Sequence, residues 1–213
     1  MSLNRFSSEF KVLERGKVLG KVCLKVPGAH NVLNGLAAVA FCLSAGLEFK
    51  QVSKVLSQFS GVKRRFQLMG TFSDVTLVDD YAHHPTEVEA TLKAAKGGDW
   101  ARVICVFQPH RFSRTKFLKR SFADAFGQAD VLIITDVYAA GEEPIPGISG
   151  KLLVDAVLDK NPRKKVVYLP KKPSIGEYLE TIAEAGDLIL TVGAGDVWTV
   201  GEGFAKSLGQ KMA

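Results

Sequence analysis

Cysteine is scarce in this sequence of 213 residues, which contains only Cys23, Cys42 and Cys105. The three are far apart, odd in number and set among apolar residues, and no CxxC spacing occurs. Disulfide frameworks and structural zinc sites need paired cysteines, so we expect three buried, reduced thiols. That interpretation favours a reducing compartment, and we expect a cytoplasmic protein.

Long apolar runs are also missing. No stretch approaches the ~20 residues that a transmembrane helix needs. The first ten residues, "MSLNRFSSEF", lack the apolar segment of a signal peptide. We therefore expect no membrane partner for this chain.

Two catalytic signatures are absent as well. No GxSxG elbow occurs, which argues against a Ser–His–Asp hydrolase. No GxxxxGK[ST] phosphate loop occurs either, since "IPGISGKL" has Ile145 at the first glycine position and Leu152 in place of Ser or Thr. In "VGAGDVW", Trp198 stands where a dinucleotide-binding turn has its third glycine, so we interpret this stretch as a tight strand-to-helix turn.

The charge is moderately basic, with a formal net charge of +6. Basic residues concentrate at 114–120 and 160–173. These runs are typical of a solvated surface and also suit anionic substrates such as nucleotides. A nucleic-acid binder would interleave aromatic residues with such clusters, and "RTKFLKR" offers only Phe117. We expect no nucleic-acid partner.

Strand-like and helix-like segments alternate from residue 66 onward. The runs "RVICVF", "DVLIIT" and "DLILTV" are almost entirely apolar, as in a parallel sheet covered on both faces. The alternation predicts a doubly wound α/β domain over residues 66–213. Helices are predicted at about 85–97, 113–127 and 149–160, from Pro173 or Ser174, and at about 196–209.

The first 65 residues follow a different pattern. Residues 10–26 read as two strands around a turn at Arg15 and Gly16, and two helices follow. A hairpin and two helices form a poor independent core. We expect residues 1–65 to be the end of a larger domain, whose exposed apolar surface would favour self-association.

A polar cluster, "VDDYAHHPTE" at residues 78–87, follows a strand and precedes a helix that Pro85 opens. Open α/β sheets bind ligands at this position, where helix amino termini favour anions. The adjacent His83 and His84 would point apart in an extended chain, which makes them a poor metal pair.

A second cluster, "QPHRFSRT" at residues 108–115, follows the next strand. It contains His110, and its Arg111 and Arg114 suit a carboxylate or a phosphate. Two parallel strands that end in polar clusters would direct them into one crevice. We expect the functional site there.

Two further groups carry alternative interpretations. Asn31 and Asn34 lie three apart at a helix start, either as caps or as amides directed at a base or phosphate. Lys63, Arg64 and Arg65 form either a solvated linker or an anion clamp.

Taken in order, six stretches resemble the Mur ligases of peptidoglycan synthesis: "GAHNVLNGLAA", "GVKRRFQ", "VDDYAHHPTEVEATLKAA", "VFQPHRFSRT", "DVYAAGEEPIPGISG" and "LTVGAG". The resemblance implies that residues 1–65 are the remnant of a central ATP-binding domain and that residues 66–213 are the Rossmann-like, amino-acid-binding domain. It also implies a bacterial, cytoplasmic, ATP-dependent ligase that joins L-alanine to UDP-N-acetylmuramate through an acyl phosphate.

By the same resemblance, Asn31 and Asn34 would bind adenine, Arg65 the ATP phosphates and Asp80 the ribose. His83 and His84 would lie near the phosphates, and His84 would cap the helix. The residues implied to be catalytic are Arg65, Asp80, His83 and His84. The acceptor pocket would consist of Tyr81, His110, Arg111 and Arg114.

The resemblance assigns Mg²⁺ to a part of the family absent from this sequence, and so no metal ligand is predicted here. Without a phosphate loop, the chain alone is expected to be inactive. A related ligase recycles the murein tripeptide and has an "EPRSNT"-like segment where this chain has "QPHRFSRT", which favours alanine as acceptor. Another alternative is a non-catalytic module that binds a nucleotide or an amino acid.

Overall fold

The computed structural model describes residues 1–210. The chain separates into two compact units. One comprises Met1–Lys63 with Lys93–Asp99, and the other comprises Arg64–Leu92 with the chain from Trp100 onward. The assignment of residues 1–65 to a larger central domain stays a prediction.

The first unit contains a small antiparallel sheet and two helices. Strands β1 (Ser2–Asn4), β2 (Ser7–Glu14) and β3 (Lys17–Leu24) pair in that order. The predicted turn is confirmed, and both of its residues are left-handed, with φ of 47° at Arg15 and 84° at Gly16. Helices α1 (Ala29–Ser44) and α2 (Phe49–Leu56) follow, and β1 was not predicted.

The expectation of three buried thiols is wrong. Cys23 is exposed, because it alternates along β3 with the buried Val22 and Leu24 and so faces solvent. Cys42 is partly buried. Only Cys105 is fully buried, and burial raises the pKa of its thiol to about 12.

The second unit contains a sheet of six strands in the order β4-β5-β9-β6-β7-β8. Its strands are β4 (Gln67–Phe72), β5 (Val75–Asp80), β6 (Val103–Phe107), β7 (Val131–Ile134), β8 (Val166–Tyr168) and β9 (Leu188–Val192). Five of them are parallel, which confirms the predicted doubly wound sheet, whereas β4 pairs antiparallel with β5 at one edge. The edge strand was not predicted.

Helices cover both faces of this sheet, and every residue of β5, β6, β7 and β9 is buried. On one face, Ile175, Leu179 and Phe204 of the last two helices pack against alternate strand residues. On the other, Phe107 contacts Phe122 and Phe126. The helices are α3 (Pro85–Lys96), α4 (Phe112–Phe117), α5 (Lys119–Ala125), α6 (Lys151–Lys160), α7 (Lys172–Ile182) and α8 (Trp198–Gln210).

One predicted helix, 113–127, is wrong as a single element. The structure has two short helices there, because Leu118 adopts φ of −103° and ends the first one. No helix within residues 1–210 is long and apolar enough to cross a membrane.

Strand register places the site. Asp80, Val192 and Phe107 stand side by side at the carboxyl ends of β5, β9 and β6. After β5, the chain crosses over and forms β6 two places away in the sheet. The place between β5 and β6 is filled later by β9, the last strand. A reversal of strand order of this kind opens a crevice at the carboxyl ends, where open α/β sheets bind ligands.

Candidate functional site

Asp80 ends β5 and points into the protein, with only 5% of the residue exposed. Its carboxylate accepts the backbone N–H groups of Ala82 at 2.7 Å and Phe66 at 2.8 Å. Burial raises the pKa of this carboxyl, although the two hydrogen bonds oppose the shift. The contact of Asp80 with the ribose stays a prediction, and each of its carboxylate oxygens already accepts one backbone N–H group.

The two histidines that follow are held by Glu87, in the first turn of α3. One Glu87 oxygen accepts the backbone N–H groups of His83 at 3.1 Å and His84 at 3.2 Å. Partial burial raises the pKa of Glu87, but these two bonds together with nearby positive charge, Arg65 included, lower it, and the net shift is downward. The Nδ1 of His84 accepts the backbone N–H of Thr86 at 3.4 Å, so His84 lies at the helix cap.

Four aromatic rings form a continuous row across the loops after β5, β6 and β7. Tyr81 lies edge-on to His83 at 5.5 Å between ring centroids, and His83 lies 5.7 Å from His110. Tyr138 then stacks on His110 at 5.5 Å with an interplanar angle of 14°. The structure therefore brings three predicted residues together and adds Tyr138.

The loop after β6 presents the two predicted arginines differently. Arg114 donates to the Nδ1 of His110 at 3.1 Å and to its backbone oxygen at 3.0 Å. Burial, together with the adjacent Arg114, lowers the pKa of His110 and favours a neutral ring. Arg111 precedes α4 at φ of 71° and donates its backbone N–H to Tyr138, while its side chain stays exposed.

Arg64 and Arg65 have different surroundings. Arg64 forms an ion pair of 2.9 Å with the buried Asp79 and so cannot serve in the predicted anion clamp. Arg65 stays 49% exposed, with Glu87 at 3.9 Å. The guanidinium carbons of Arg64 and Arg65 lie 5.0 and 5.6 Å from the centroid of the Tyr81 ring.

Residues 193–197 form the predicted strand-to-helix turn, and Gln108 holds it. The buried Gln108 side chain accepts the backbone N–H groups of Asp196 at 3.0 Å and Val197 at 3.2 Å. Its amide donates to the Asp196 carboxylate at 2.8 Å, and Lys172 also donates to that carboxylate. This network joins the loop after β6 to the turn after β9.

Gly195 is needed because other groups occupy the space of a side chain. A Cβ there would stand 2.4 Å from the Gln108 side-chain oxygen and 2.7 Å from Tyr138. We expect Gly195→Ala to lower the free energy of unfolding by about 1–3 kcal/mol through overpacking. Urea unfolding measures this loss.

The matched control is Gly203→Ala in α8, where a Cβ meets nothing within 4 Å. That change should stabilise the chain by about 0.5–1 kcal/mol, because alanine favours the helix. Equal unfolding midpoints for the two variants would contradict the close approach at Gly195.

Asn31 and Asn34 lie in the first unit, and neither caps α1. The helix begins at Ala29 after Gly28, and no side chain bonds the cap position. The Asn31 amide donates to the backbone oxygen of Pro27 at 2.7 Å, and the Asn34 amide donates to the Asn31 side-chain oxygen at 3.4 Å. The capping alternative is therefore wrong, and their contact with adenine stays a prediction.

Four residues of the site were missed: Glu87, Gln108, Tyr138 and Glu142. The carboxylate of Glu142 accepts the backbone N–H of Ser113 at 3.0 Å and its hydroxyl, and these bonds lower the Glu142 pKa. The position of Glu87 in the first turn after Pro85 is a usable helix-start signal.

Across residues 1–210, no group of three or more His, Cys, Asp or Glu side chains could hold a metal ion.

Comparison with known proteins decides the family. The family described as "Mur ligase, glutamate ligase domain" matches residues 64–195, more than half of the chain. The chain belongs to the Mur ligase family. The match covers the site loops after β5, β6 and β7 and the glycines of the turn after β9, and it confirms the resemblance seen in the sequence.

Among Mur ligases, this chain is similar to two curated proteins named UDP-N-acetylmuramate–L-alanine ligase. The protein from Pelotomaculum thermopropionicum is 49% identical over 92% of this chain and 42% of its own length. The protein from Desulforamulus reducens is 48% identical over 91% of this chain and 42% of its own length. The chain thus spans less than half the length of these relatives.

Solved structures agree with that similarity. The UDP-N-acetylmuramate-alanine ligase of Thermotoga maritima superposes with a TM-score of 0.82 at 30% identity, over 99% of this chain and 45% of that one. A murein peptide ligase from Psychrobacter arcticus gives a TM-score of 0.67 at 28% identity, over 95% of this chain and 42% of that one. The name of the first protein contains alanine, and the name of the second contains a murein peptide.

Proposed function

We propose that this Mur ligase chain binds the acceptor amino acid in an ATP-dependent reaction that joins L-alanine to UDP-N-acetylmuramate. The observation that carries the proposal is the exposed Arg111 beside the neutral His110 and the aromatic row, at the switch point of the sheet. A guanidinium binds a carboxylate through two parallel hydrogen bonds. An amino acid is a carboxylate with an adjacent amine, which suits this arrangement.

The amine of the acceptor must lose a proton before it can attack a carbonyl carbon. The Nδ1 of His83 lies 3.1 Å from the backbone oxygen of Tyr81. A proton on Nδ1 would make that hydrogen bond and leave Nε2 with a free lone pair. We propose that Nε2 of His83 accepts the proton from the amine while Arg111 holds the carboxylate.

ATP supplies the leaving group by phosphorylating the muramyl carboxylate, and the amine then displaces phosphate from the acyl phosphate to form the amide. Arg65, exposed beside the Tyr81 ring, is the group of this chain that we assign to the ATP phosphates. Asn31 and Asn34 are assigned to the adenine. By the family resemblance, we assign Mg²⁺ to the part of the relatives that this chain does not span.

The test is phosphate release by a full-length parent protein supplied with Mg-ATP and UDP-N-acetylmuramate. We expect release that depends on L-alanine and not on the murein tripeptide. The chain of 213 residues, which has no GxxxxGK[ST] sequence, is expected to release none under the same conditions.

Each other outcome changes the assignment. Release with the tripeptide alone would make the protein a recycling ligase, which the murein peptide ligase similarity also accommodates. No release with either acceptor would favour a non-catalytic binding module. Release by the chain of 213 residues would show that catalysis does not need a phosphate loop here.

A further inference from the structure

All three guanidinium nitrogens of Arg64 donate a hydrogen bond within the second unit. Its Nε donates to the Asp79 carboxylate at 2.9 Å. One terminal nitrogen donates to the backbone oxygen of Gly193 at 2.7 Å, and the other to that of Gly195 at 3.1 Å. The side chain is only 20% exposed.

These acceptors belong to two different segments of the site. Asp79 is the penultimate residue of β5 and pairs with Thr191 of β9, whose hydroxyl donates to the same carboxylate at 2.7 Å. Gly193 and Gly195 form the turn that follows β9. One guanidinium therefore fixes the end of β5 and the glycine turn against each other.

Arg64 also holds Tyr81 by two contacts. Its backbone oxygen accepts the Tyr81 N–H at 2.7 Å, and its guanidinium carbon lies 5.0 Å from the centre of the Tyr81 ring. The Arg64 backbone is left-handed, with φ of 58°. A non-glycine residue keeps that conformation only where its surroundings determine it, as these contacts do here.

We propose that Arg64 is a positioning residue for the acceptor pocket, aligning Tyr81 and the glycine turn at 193–195. This inference rests on the proposed function, because the proposed function supplies the acceptor that the aligned loops would bind. Arg64 acts through Tyr81 and the turn and touches no substrate. Tyr81 in turn contacts His83, whose ring leads to His110.

A lysine cannot replace Arg64. Its single ammonium carries the same charge, but it cannot reach three acceptors that the planar fork of arginine contacts at once. Arg64→Lys therefore keeps the positive charge next to Asp79 but loses the hydrogen bonds that align the two loops. If only the positive charge next to Asp79 mattered, lysine would restore function.

The chain offers a matched control in Arg102, at the opposite ends of the strands. Arg102 donates to both oxygens of the buried Asp187, at 2.9 and 2.6 Å, and to the backbone oxygen of Ile182 at 2.7 Å. Arg102→Lys removes the same kind of fork next to β6 and β9, away from the candidate site. Both variants should be destabilised, and only Arg64→Lys should alter the acceptor pocket.

Two measurements test the proposal. In the chain of 213 residues, hydrogen exchange should speed up at residues 81–84 and 193–197 in Arg64→Lys, but not in Arg102→Lys. In a full-length parent protein, kcat/KM for L-alanine should fall about 10- to 100-fold in Arg64→Lys, since a misplacement near 1 Å can cost about 100-fold. The KM for UDP-N-acetylmuramate should stay within about twofold of wild type.

Unchanged exchange in both segments of Arg64→Lys would overturn the proposal, as would equal kinetic losses in the two variants. A wild-type parent that releases no phosphate with either acceptor would instead refute the proposed function. In that case the exchange measurement alone decides whether Arg64 aligns the two loops.

Discussion

Replacing Arg111 with alanine should lower kcat/KM for L-alanine by about 100-fold, or roughly 3 kcal/mol, because a charge-assisted carboxylate contact is lost. The loss should appear mainly in the KM of the acceptor, with the KM of ATP little changed. Steady-state phosphate release by a full-length parent protein at varied L-alanine measures it.

The structure predicts that this variant folds normally. The Arg111 backbone, not its side chain, donates to Tyr138 and accepts from Thr115. Its left-handed φ of 71° is no harder for alanine than for arginine, since both carry a Cβ. The exposed side chain leaves no cavity when it is truncated.

Two further variants give the comparison. Arg111→Lys keeps the charge but loses the two-pronged geometry, so its loss should lie between wild type and alanine. Arg120→Ala removes an exposed arginine of α5 and should leave the kinetics unchanged. Wild-type kinetics in Arg111→Ala would contradict the assignment of Arg111 to the acceptor carboxylate.

The meeting of the two polar clusters at one edge of the sheet was readable from the sequence. The apolar runs predicted parallel strands buried on both faces, and the polar clusters at their ends predicted one crevice. Register then confirmed that Asp80 and Phe107 end side by side with Val192 of β9. This reasoning works because parallel strands share a direction, so their carboxyl ends share an edge.

The orientation of individual side chains was not readable. Successive residues of a strand point to opposite faces, but the sequence does not say which of Asp79 and Asp80 meets Arg64. Register decides it, since Asp79 faces Thr191 and pairs with Arg64, whereas Asp80 turns toward the backbone of its own loop. The assignment of Asp80 to the ribose came from the family resemblance and stays a prediction.

The contribution of Tyr138 was equally hidden. It joins the site through an isolated bridge with His110 and a stack on its ring, both of which depend on contacts 28 positions apart in the sequence. No local pattern marks such a residue. The edge strand β4 was missed for a related reason, since its pairing with β5 includes an irregularity between Leu68 and Gly70.

Asp80→Ala should cause a large loss of stability. The carboxylate is the acceptor for the backbone N–H groups of Ala82 and Phe66, and both residues are buried. Leaving a buried donor without its acceptor costs roughly 1–3 kcal/mol for each group. We therefore expect the free energy of unfolding to fall by about 2–5 kcal/mol, measured by urea unfolding at pH 7.

Asp80→Asn should lose less free energy of unfolding than Asp80→Ala. The asparagine amide oxygen still accepts one of the two hydrogen bonds, and the buried charge is removed. The comparison also has a pH dependence. Burial raises the pKa of Asp80 above its ordinary value of 3.8, so the folded state takes up a proton before the unfolded state does as the pH falls. Wild type should gain stability relative to Asp80→Asn as the pH falls from 7 toward 4.

Asp159→Ala is the matched control, since this aspartate is exposed on α6 and its removal should change stability by no more than about 0.5 kcal/mol. If Asp80→Ala were as mild as Asp159→Ala, the loop after β5 would not depend on the buried carboxylate. The predicted contact with the ribose would then be the role left for Asp80. A large loss of stability, together with a gain of wild type over Asp80→Asn at acidic pH, would show that the buried carboxylate holds the loop that carries Tyr81 and His83.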